Sequence, residues 1–335
     1  MRIAIDAMGG DLAPRSNVEG ALQAVSSDPS LTVVLVGNEQ EIKKVLPGNV
    51  PAGIEIRHTT EVIEADDEPV RAVRRKKDSS MVVAADLTRK QEVDAFISAG
   101  NTGALMTAGL LITGRNIGIE RPALAALIPN TKGSVTLVLD VGANMDAKPL
   151  HLLQYAIMGS LYVEKVLGLS KPRVGLLNVG TEEAKGNELT KEVYPMLSGA
   201  NINFIGNVEA RDVMTGECDV LVSDGFAGNV LLKSIEGVAS AVFSQLKQEL
   251  TSNFLNKVAA AILKPSLVRF KNRMDYAEYG GAPLLGLRQP VIKAHGSSDA
   301  RAIKNAIHAA ARFVKLGVND SIQQELKSIN TTESE

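Results

Sequence analysis

Five short stretches of this chain carry the residues needed to hold an anion: "DAMGGD" (6–11), "SAGNTGA" (98–104), "DVGANMD" (140–146), "NVGTEEAKGN" (178–187) and "SDGFAGN" (223–229). Each sets glycine beside Asn, Asp or Thr directly after a short apolar run. Glycine lets backbone N–H groups come close to an anion, and a helix N-terminus adds roughly half a positive charge. One such junction is explained by a tight turn with a capping residue. Five in one chain point to a ligand-binding edge. In the last junction Asp224 is either the cap of a following helix or an acid of that site. Of the four histidines, His58 lies in a strand-like pattern and His308 in a helical one, so both read as structural. His295, in "KAHGSSDA", precedes glycine and two serines at a helix start and reads equally as a site residue or a structural one. There is no G-x-x-x-x-G-K-[ST], no G-x-G-x-x-G and no G-x-S-x-G, which argues against a Walker-type nucleotidase, a standard dinucleotide fold and a serine hydrolase. No cluster of metal ligands stands out, and neither metal nor cofactor is expected. The chemistry is that of an anion held by backbone amides, Asn and Lys, without a covalent nucleophile.

Elements that position these junctions follow from the apolar periodicity. Near-continuous apolar runs at 2–8, 31–37, 54–60, 93–100, 123–129, 135–142, 173–180, 202–208 and 218–225 read as buried strands. Helical patterns fall at 15–26, 39–45, 151–167 and 187–198. The alternation predicts a largely parallel sheet covered on both faces, with the junctions at its carboxyl edge, where such sheets bind ligands. From about residue 228 the chain is expected to be mostly helical. A core-facing stripe at 303, 306, 307, 310, 313 and 314 is capped by Ser297 or Ser298, and "NTTESE" forms a frayed tail. No linker separates domains, so residues 1–335 are expected to form a single α/β unit.

Composition narrows the function classes. Of 335 residues 45% are apolar and 4% aromatic, and the net charge of −2 lacks the broadly basic face of a nucleic-acid binder. The single cysteine, Cys218, excludes an internal disulfide and reads as a small buried residue. No apolar run reaches the roughly 18–20 residues of a membrane span. Asp6 and Asp11 interrupt the N-terminus before a signal-peptide core develops, which predicts a cytoplasmic protein.

Taken in order, "IAIDAMGGD", "SAGNTGA", "LDVGAN", "NVGTEEAKGN", "SDGFAGN", "YGGAPLLG" and "HGSSDA" resemble the phosphate acyltransferase PlsX family of bacterial phospholipid synthesis, over nearly the whole chain. The resemblance implies transfer of an acyl group from acyl carrier protein to inorganic phosphate, giving acyl phosphate and free carrier. It also implies a homodimer and a three-layer α/β/α sandwich like that of isopropylmalate dehydrogenase. In that fold two intertwined subdomains share one mixed, mostly parallel sheet. A membrane-bound glycerol-3-phosphate acyltransferase is a candidate partner. "SDGFAGNVLLK" is also similar to phosphotransacetylases, which run the same chemistry on coenzyme A thioesters. A phosphotransacetylase acting on short acyl-coenzyme A and a non-enzymatic membrane scaffold for lipid-synthesis proteins are the alternatives. A dehydrogenase of the same fold is a more distant one.

Phosphate attack on a thioester needs a held anion, donors for the tetrahedral oxyanion and a proton for the leaving thiolate. Gly100, Asn101, Thr102, Gly103, Asn144, Asn178, Gly180, Thr181, Gly225 and Gly228 are the candidates for binding phosphate and substrate. Lys185, Asn229 and His295 are candidate catalytic groups, and Asp224 is preferred as the acid over its role as a cap. Asp140 and Asn144 more readily serve loop geometry. Arg71, Arg74, Arg75, Lys76 and Lys77 are either a solvated helical face or a docking patch for the acidic carrier. Residues 250–274 contain no acid after Leu250 and read as an amphipathic helical hairpin, two segments bent at Pro265, that is either a membrane contact or a dimer interface or ordinary core helix, the membrane being preferred. Leu255, Val258, Ile262, Leu263 and Lys264 would contact a membrane surface peripherally.

Overall fold

The computed structural model describes residues 1–273 and 280–332, with side chains described up to 270 and from 280 to 325. Eleven strands run through the described residues: β1 (Arg2–Asp6), β2 (Thr32–Gly37), β3 (Ile54–His58), β4 (Ala95–Ser98), β5 (Ala123–Pro129), β6 (Val135–Leu139), β7 (Arg173–Asn178), β8 (Asn203–Glu209), β9 (Val220–Val222), β10 (Ala282–Leu285) and β11 (Val291–Lys293). The helices are α1 (Arg15–Ser27), α2 (Glu39–Val45), α3 (Pro69–Arg75), α4 (Ser80–Arg89), α5 (Thr102–Ala108), α6 (Pro149–Tyr162), α7 (Glu188–Gly199), α8 (Gly225–Leu250), α9 (Phe254–Arg273), α10 (Ala300–Lys315) and α11 (Val318–Thr332). All strands form one sheet in the order β3-β2-β1-β4-β11-β10-β5-β6-β9-β7-β8. The nine expected strands are present, and the sheet is mixed and largely parallel, as expected.

Alternation along each strand makes the three layers. Ala4, Phe96, Leu124, Ala126 and Val138 point to one face and join a single apolar core beneath α4, α5 and α8. Their neighbours point to the other face, where two cores form. One joins β1–β4 to α1 and α10, and the other joins β5, β6, β7 and β9 to α6, α7 and α11.

Strand direction corrects one expectation. β1, β2, β3, β4 and β11 run parallel, while β10 is antiparallel to both β11 and β5, and β5 is antiparallel to β6. Hence β6, β9, β7 and β8 run opposite to the first group. The five glycine-rich junctions therefore do not share an edge: those after β1 and β4 lie at one, those after β6, β7 and β9 at the other.

Other differences are local. β10 and β11 interrupt the stretch expected to be helical; at four and three residues they are too short to show a period. Asp299, not Ser297 or Ser298, caps α10, its carboxylate accepting from Ala302 N–H at 2.9 Å. The expected C-terminal tail is helical to Thr332, and 333–335 lie outside the described residues. Pro265 does not divide the basic segment: α9 is one helix through it, packed back on α8 with Phe243 and Phe270 5.9 Å apart. The hairpin thus begins at Gly225 rather than near 250, and Met274 lies outside the described residues. α8 also has the length and apolarity of a membrane span, with 11% of that window buried.

Candidate active site

A cavity of about 800 Å³ opens on the face carrying the continuous core, between α5 and α8 and above β10 and β5. Its polar end is built at the carboxyl ends of β1, β4 and β11, from Gly10 and Asp11, from Gly100 to Gly103, and from Lys293 to Gly296. Its apolar walls are Ile63, Met106, Leu124, Ala126, Val141 and Leu232. Lys233 and Glu236 of α8, paired at 2.8 Å, border the polar end.

Glycine is required where the first two junctions meet. A Cβ on Gly9 would stand 2.5 Å from Asp6 Oδ2 and 2.8 Å from Gly100 N, so only glycine lets these loops touch. Asp6 is 2% exposed and accepts from Ser98 Oγ at 2.7 Å. Burial raises its pKa, against the pull of its hydrogen bonds to Ser80, Ser98 and backbone N–H groups. Close by, Lys293 Nζ donates to the carbonyls of Ala99 and Ala294. Desolvation brings the lysine down to about 8; Lys233 adds to this, and Asp6 and Asp11 oppose it.

His295 stands at the rim. Ser297 N–H donates to its Nδ1 at 3.3 Å, and Ser297 Oγ lies 2.8 Å from the same atom. With Nδ1 accepting, the neutral ring carries its proton on Nε2. Desolvation lowers its pKa below 6.5; Glu236 opposes the shift, and Lys233 and Lys293 reinforce it. The ring is therefore neutral at pH 7 and can donate a hydrogen bond without carrying charge.

Six of the expected site residues meet in this cavity: Gly100, Asn101, Thr102, Gly103, Asn229 and His295. Two of them are partly committed. Asn101 caps α5 by accepting from Ala104 N–H at 3.0 Å, while its Nδ2 donates to the carbonyls of Glu64, Ala65 and Asp67. It clasps the 64–67 loop over the cavity rather than presenting its side chain to phosphate. Asn229 Nδ2 is spent on the Val141 carbonyl at 2.9 Å.

The remaining expected residues lie outside the cavity, for physical reasons. Asp224 accepts from Phe226 N–H and Ala227 N–H, both at 2.9 Å, so it caps α8 and fills the helix N-terminus with its own carboxylate. Gly225 is pressed against the Asn144 backbone and Gly228 against the Asp140 carbonyl. Asn144 donates to Pro122 O, Asp140 Oδ2 and Tyr155 Oη, which consumes its amide. Asn178, Gly180, Thr181 and Lys185 form a loop at the opposite sheet edge, where Asn178 Nδ2 bonds the Lys185 carbonyl. Cys218 is fully buried and raised to about 12, as suits a structural thiol. Within the basic patch, Lys76 turns to Asp67 and the Val62 carbonyl and is half-buried. Arg71, Arg74, Arg75 and Lys77 stay exposed. Lys293, Lys233 and Asp6 escaped the sequence reading; the lysine directly before "AHG", closing an apolar "PVI", was the available signal.

A family model described as "Fatty acid synthesis protein" matches residues 1–321. A phosphate acyltransferase of Brevibacillus brevis is 70% identical over the full length of both chains. The chain belongs to the phosphate acyltransferase family. A second member, from Bacillus pumilus, is 55% identical, again over the full length of both. Among solved structures, a phosphotransacetylase from Streptococcus pyogenes superposes with a TM-score of 0.59 at 16% identity, covering 98% of this chain and 94% of the other. A branched-chain phosphotransacylase from Enterococcus faecalis gives 0.59 at 14%, covering 94% and 99%. At these identities the likeness shows a shared fold.

Proposed function

We propose that this member of the family transfers a long-chain acyl group from acyl carrier protein to inorganic phosphate, releasing acyl phosphate and free carrier for phospholipid synthesis. The carrying observation is the two-ended cavity, with Lys233, Lys293 and backbone amides at one end and Ile63, Met106, Leu124, Val141 and Leu232 lining it beyond. Phosphate is held at the polar end by the first N–H groups of α5, at Thr102 and Gly103, with Lys233 adding charge. The acyl chain lies along the apolar walls, gaining about 0.8 kcal/mol per buried CH₂. Neutral His295 donates from Nε2 to the oxygen that becomes the tetrahedral oxyanion. The apolar walls favour a long chain over the short acyl-coenzyme A of the phosphotransacetylase alternative.

Three surfaces complete the proposal. Arg71, Arg74, Arg75 and Lys77, exposed on and beside α3, dock the acidic carrier. Phe226, Val230, Val238, Val242 and Leu246 are exposed at multiples of four residues along α8, an apolar stripe suited to a second copy of the chain. At the hairpin tip Leu255, Val258, Ile262 and Leu263 are exposed beside Lys257 and Lys264, which suits peripheral contact with an anionic membrane, where a membrane-bound glycerol-3-phosphate acyltransferase would take the product. The test of the reaction is thiol release from long-chain acyl carrier protein with and without phosphate. Phosphate-dependent release supports the reading. A preference for short acyl-coenzyme A would replace it with the phosphotransacetylase, and no turnover on either would leave the scaffold.

A further inference from the structure

We propose that Lys293 is a catalytic residue of this reaction: its ammonium group holds the attacking phosphate and passes a proton to the departing thiolate. The assignment rests on the acyl-transfer reading above and supplies the acid that reading lacks once Asp224 is accounted for as a cap. Lys293 is the last residue of β11 and lines the polar end of the cavity. Its Nζ is fixed by two backbone carbonyls, Ala99 and Ala294. Carbonyls only accept, so both bonds use N–H groups, and an ammonium has three. The third serves a ligand in the cavity. Asp6, buried and accepting from Ser98 Oγ, is close enough to act on the ammonium and favours its charged form.

The alternatives carry less. Asp224 does not line the cavity. His295 is held neutral. Lys233 is tied to Glu236, with 56% of its side chain exposed. Desolvation also tunes Lys293: an acid of about 8 matches an alkyl thiol, which in cysteine titrates near 8.5. A matched pair transfers its proton most effectively near neutral pH.

The step balances without any further reactant. An oxygen of hydrogen phosphate adds to the thioester carbon, and the carbonyl electron pair moves to oxygen. The tetrahedral adduct collapses, the C–S bond breaks with its pair on sulfur, and Nζ–H protonates that sulfur. Lysine then recovers a proton from the phosphate O–H, so the net proton transfer is from phosphate to thiol.

An acid must be protonated, so kcat/KM, which reports the free enzyme, should fall as pH rises through about 8. The charged groups sharing this end are Asp6 from β1, Asp11 from the following loop, Glu64 from the clasped loop, Lys233 and Glu236 from α8, and His295. His295 titrates on the acid side, below 6.5, and Lys233 is the competing lysine.

The experiment measures kcat, KM for inorganic phosphate and the pH profile on long-chain acyl carrier protein, for wild type, Lys293→Met, Lys293→Arg and Lys233→Met. Lys293→Met should lose roughly 10²–10⁴ in kcat, and a further variant, Lys293→Ala, should lose as much and regain activity with added ethylamine. Lys293→Arg should keep phosphate affinity, because the charge remains. It should lose kcat, because a guanidinium with a pKa above about 12 gives up no proton here. Lys233→Met should keep the alkaline limb and move it to higher pH, because Lys233 lowers the Lys293 pKa. Lys293→Met within about tenfold of wild type, with the limb intact, overturns the assignment. If that variant does not fold, Lys293→Arg with wild-type kcat and an unmoved limb overturns it. A wild type that releases no thiol with phosphate overturns the acyl-transfer reading itself, and Lys293's role with it.

Discussion

The junction after β4 and the junction after β9 look alike in sequence, as "SAGNTGA" and "SDGFAGN", and the fold uses them in opposite ways. Around β4 the backbone stays open to the cavity: Gly100, Thr102 and Gly103 line it, and the capping side chain, Asn101, is uncharged. Around β9 the acid and the two glycines serve the fold. Gly225 and Gly228 are there to let α8 approach the 140–144 loop, and Asp224 already places a carboxylate on the first N–H groups of the helix. The 140–144 loop shows the same habit, with Asp140 fully buried and accepting from Leu124, Gly142, Ala143 and Asn144 N–H groups. A nest of N–H groups can bind an external anion or an internal carboxylate; where the chain supplies the carboxylate, no ligand is needed.

The sharpest way to break this contrast is a pair of substitutions, one at each edge. His295→Ala removes the donor proposed for the developing oxyanion and should cost roughly 10²–10³ in kcat. Lys185→Ala, on the exposed loop of the opposite edge, should change turnover by less than about twofold. Steady-state thiol release measures both. Comparable losses from the two would mean that the 178–187 loop acts in catalysis after all.

Next in size is Gly228→Ala. The new methyl would overlap the Asp140 carbonyl and lie 2.6 Å from Ser223 Oγ, so backbone must move. The expected loss is about 1–3 kcal/mol of stability, seen in denaturant melts, with kcat of the folded fraction unchanged. A stable variant with lowered kcat would transfer this junction to the catalytic side of the comparison.

Asn101→Ala should act on both quantities. It removes the α5 cap, costing about 1 kcal/mol. It also releases three bonds to the 64–67 loop, which borders the cavity. The KM for phosphate should rise with kcat little changed, because the side chain positions the loop and does not touch the reacting atoms. An unaltered KM would show that the loop needs no clasp.

How much of this was legible in the sequence follows from range. Nine of the strands fall on apolar runs of seven or eight residues, so they and the capping chemistry are local, and periodicity and turn residues reveal them. The two strands that decide the site, β10 and β11, are too short to show a period. The reversal that sends the five junctions to two edges is also made in the middle of the sheet, where β10 is antiparallel to β11 and β5, and β5 in turn to β6. Lys293 was hidden for the same reason: outside a recognised strand, a lysine before "AHG" looks like a loop residue. Asn101 was found for its type, but the carbonyls it holds are 34 to 37 residues away, where no local pattern shows them.

The smallest expected effect is at Asp224, and it separates a cap from an acid. Both Asp224→Asn and Asp224→Ala remove the ionisable group, so an acid would lose turnover equally in both. A cap distinguishes them. Asn retains a side-chain oxygen able to accept from Phe226 N–H and Ala227 N–H, and it ranks with Asp at this position. Ala retains none and leaves the first turn of α8 unsatisfied, at a cost of about 0.5–2 kcal/mol. α8 also carries Asn229, Leu232 and Lys233 into the cavity, so a loosened first turn reaches the site only indirectly. The expected result is Asp224→Asn close to wild type in stability and turnover, with Asp224→Ala less stable and its kcat reduced by no more than a few fold. Urea melts beside phosphate-dependent thiol release measure both. A loss of roughly 10²–10⁴ in kcat for Asp224→Asn, with stability unchanged, would return the proton transfer to Asp224 and erase the difference drawn here between the two junctions.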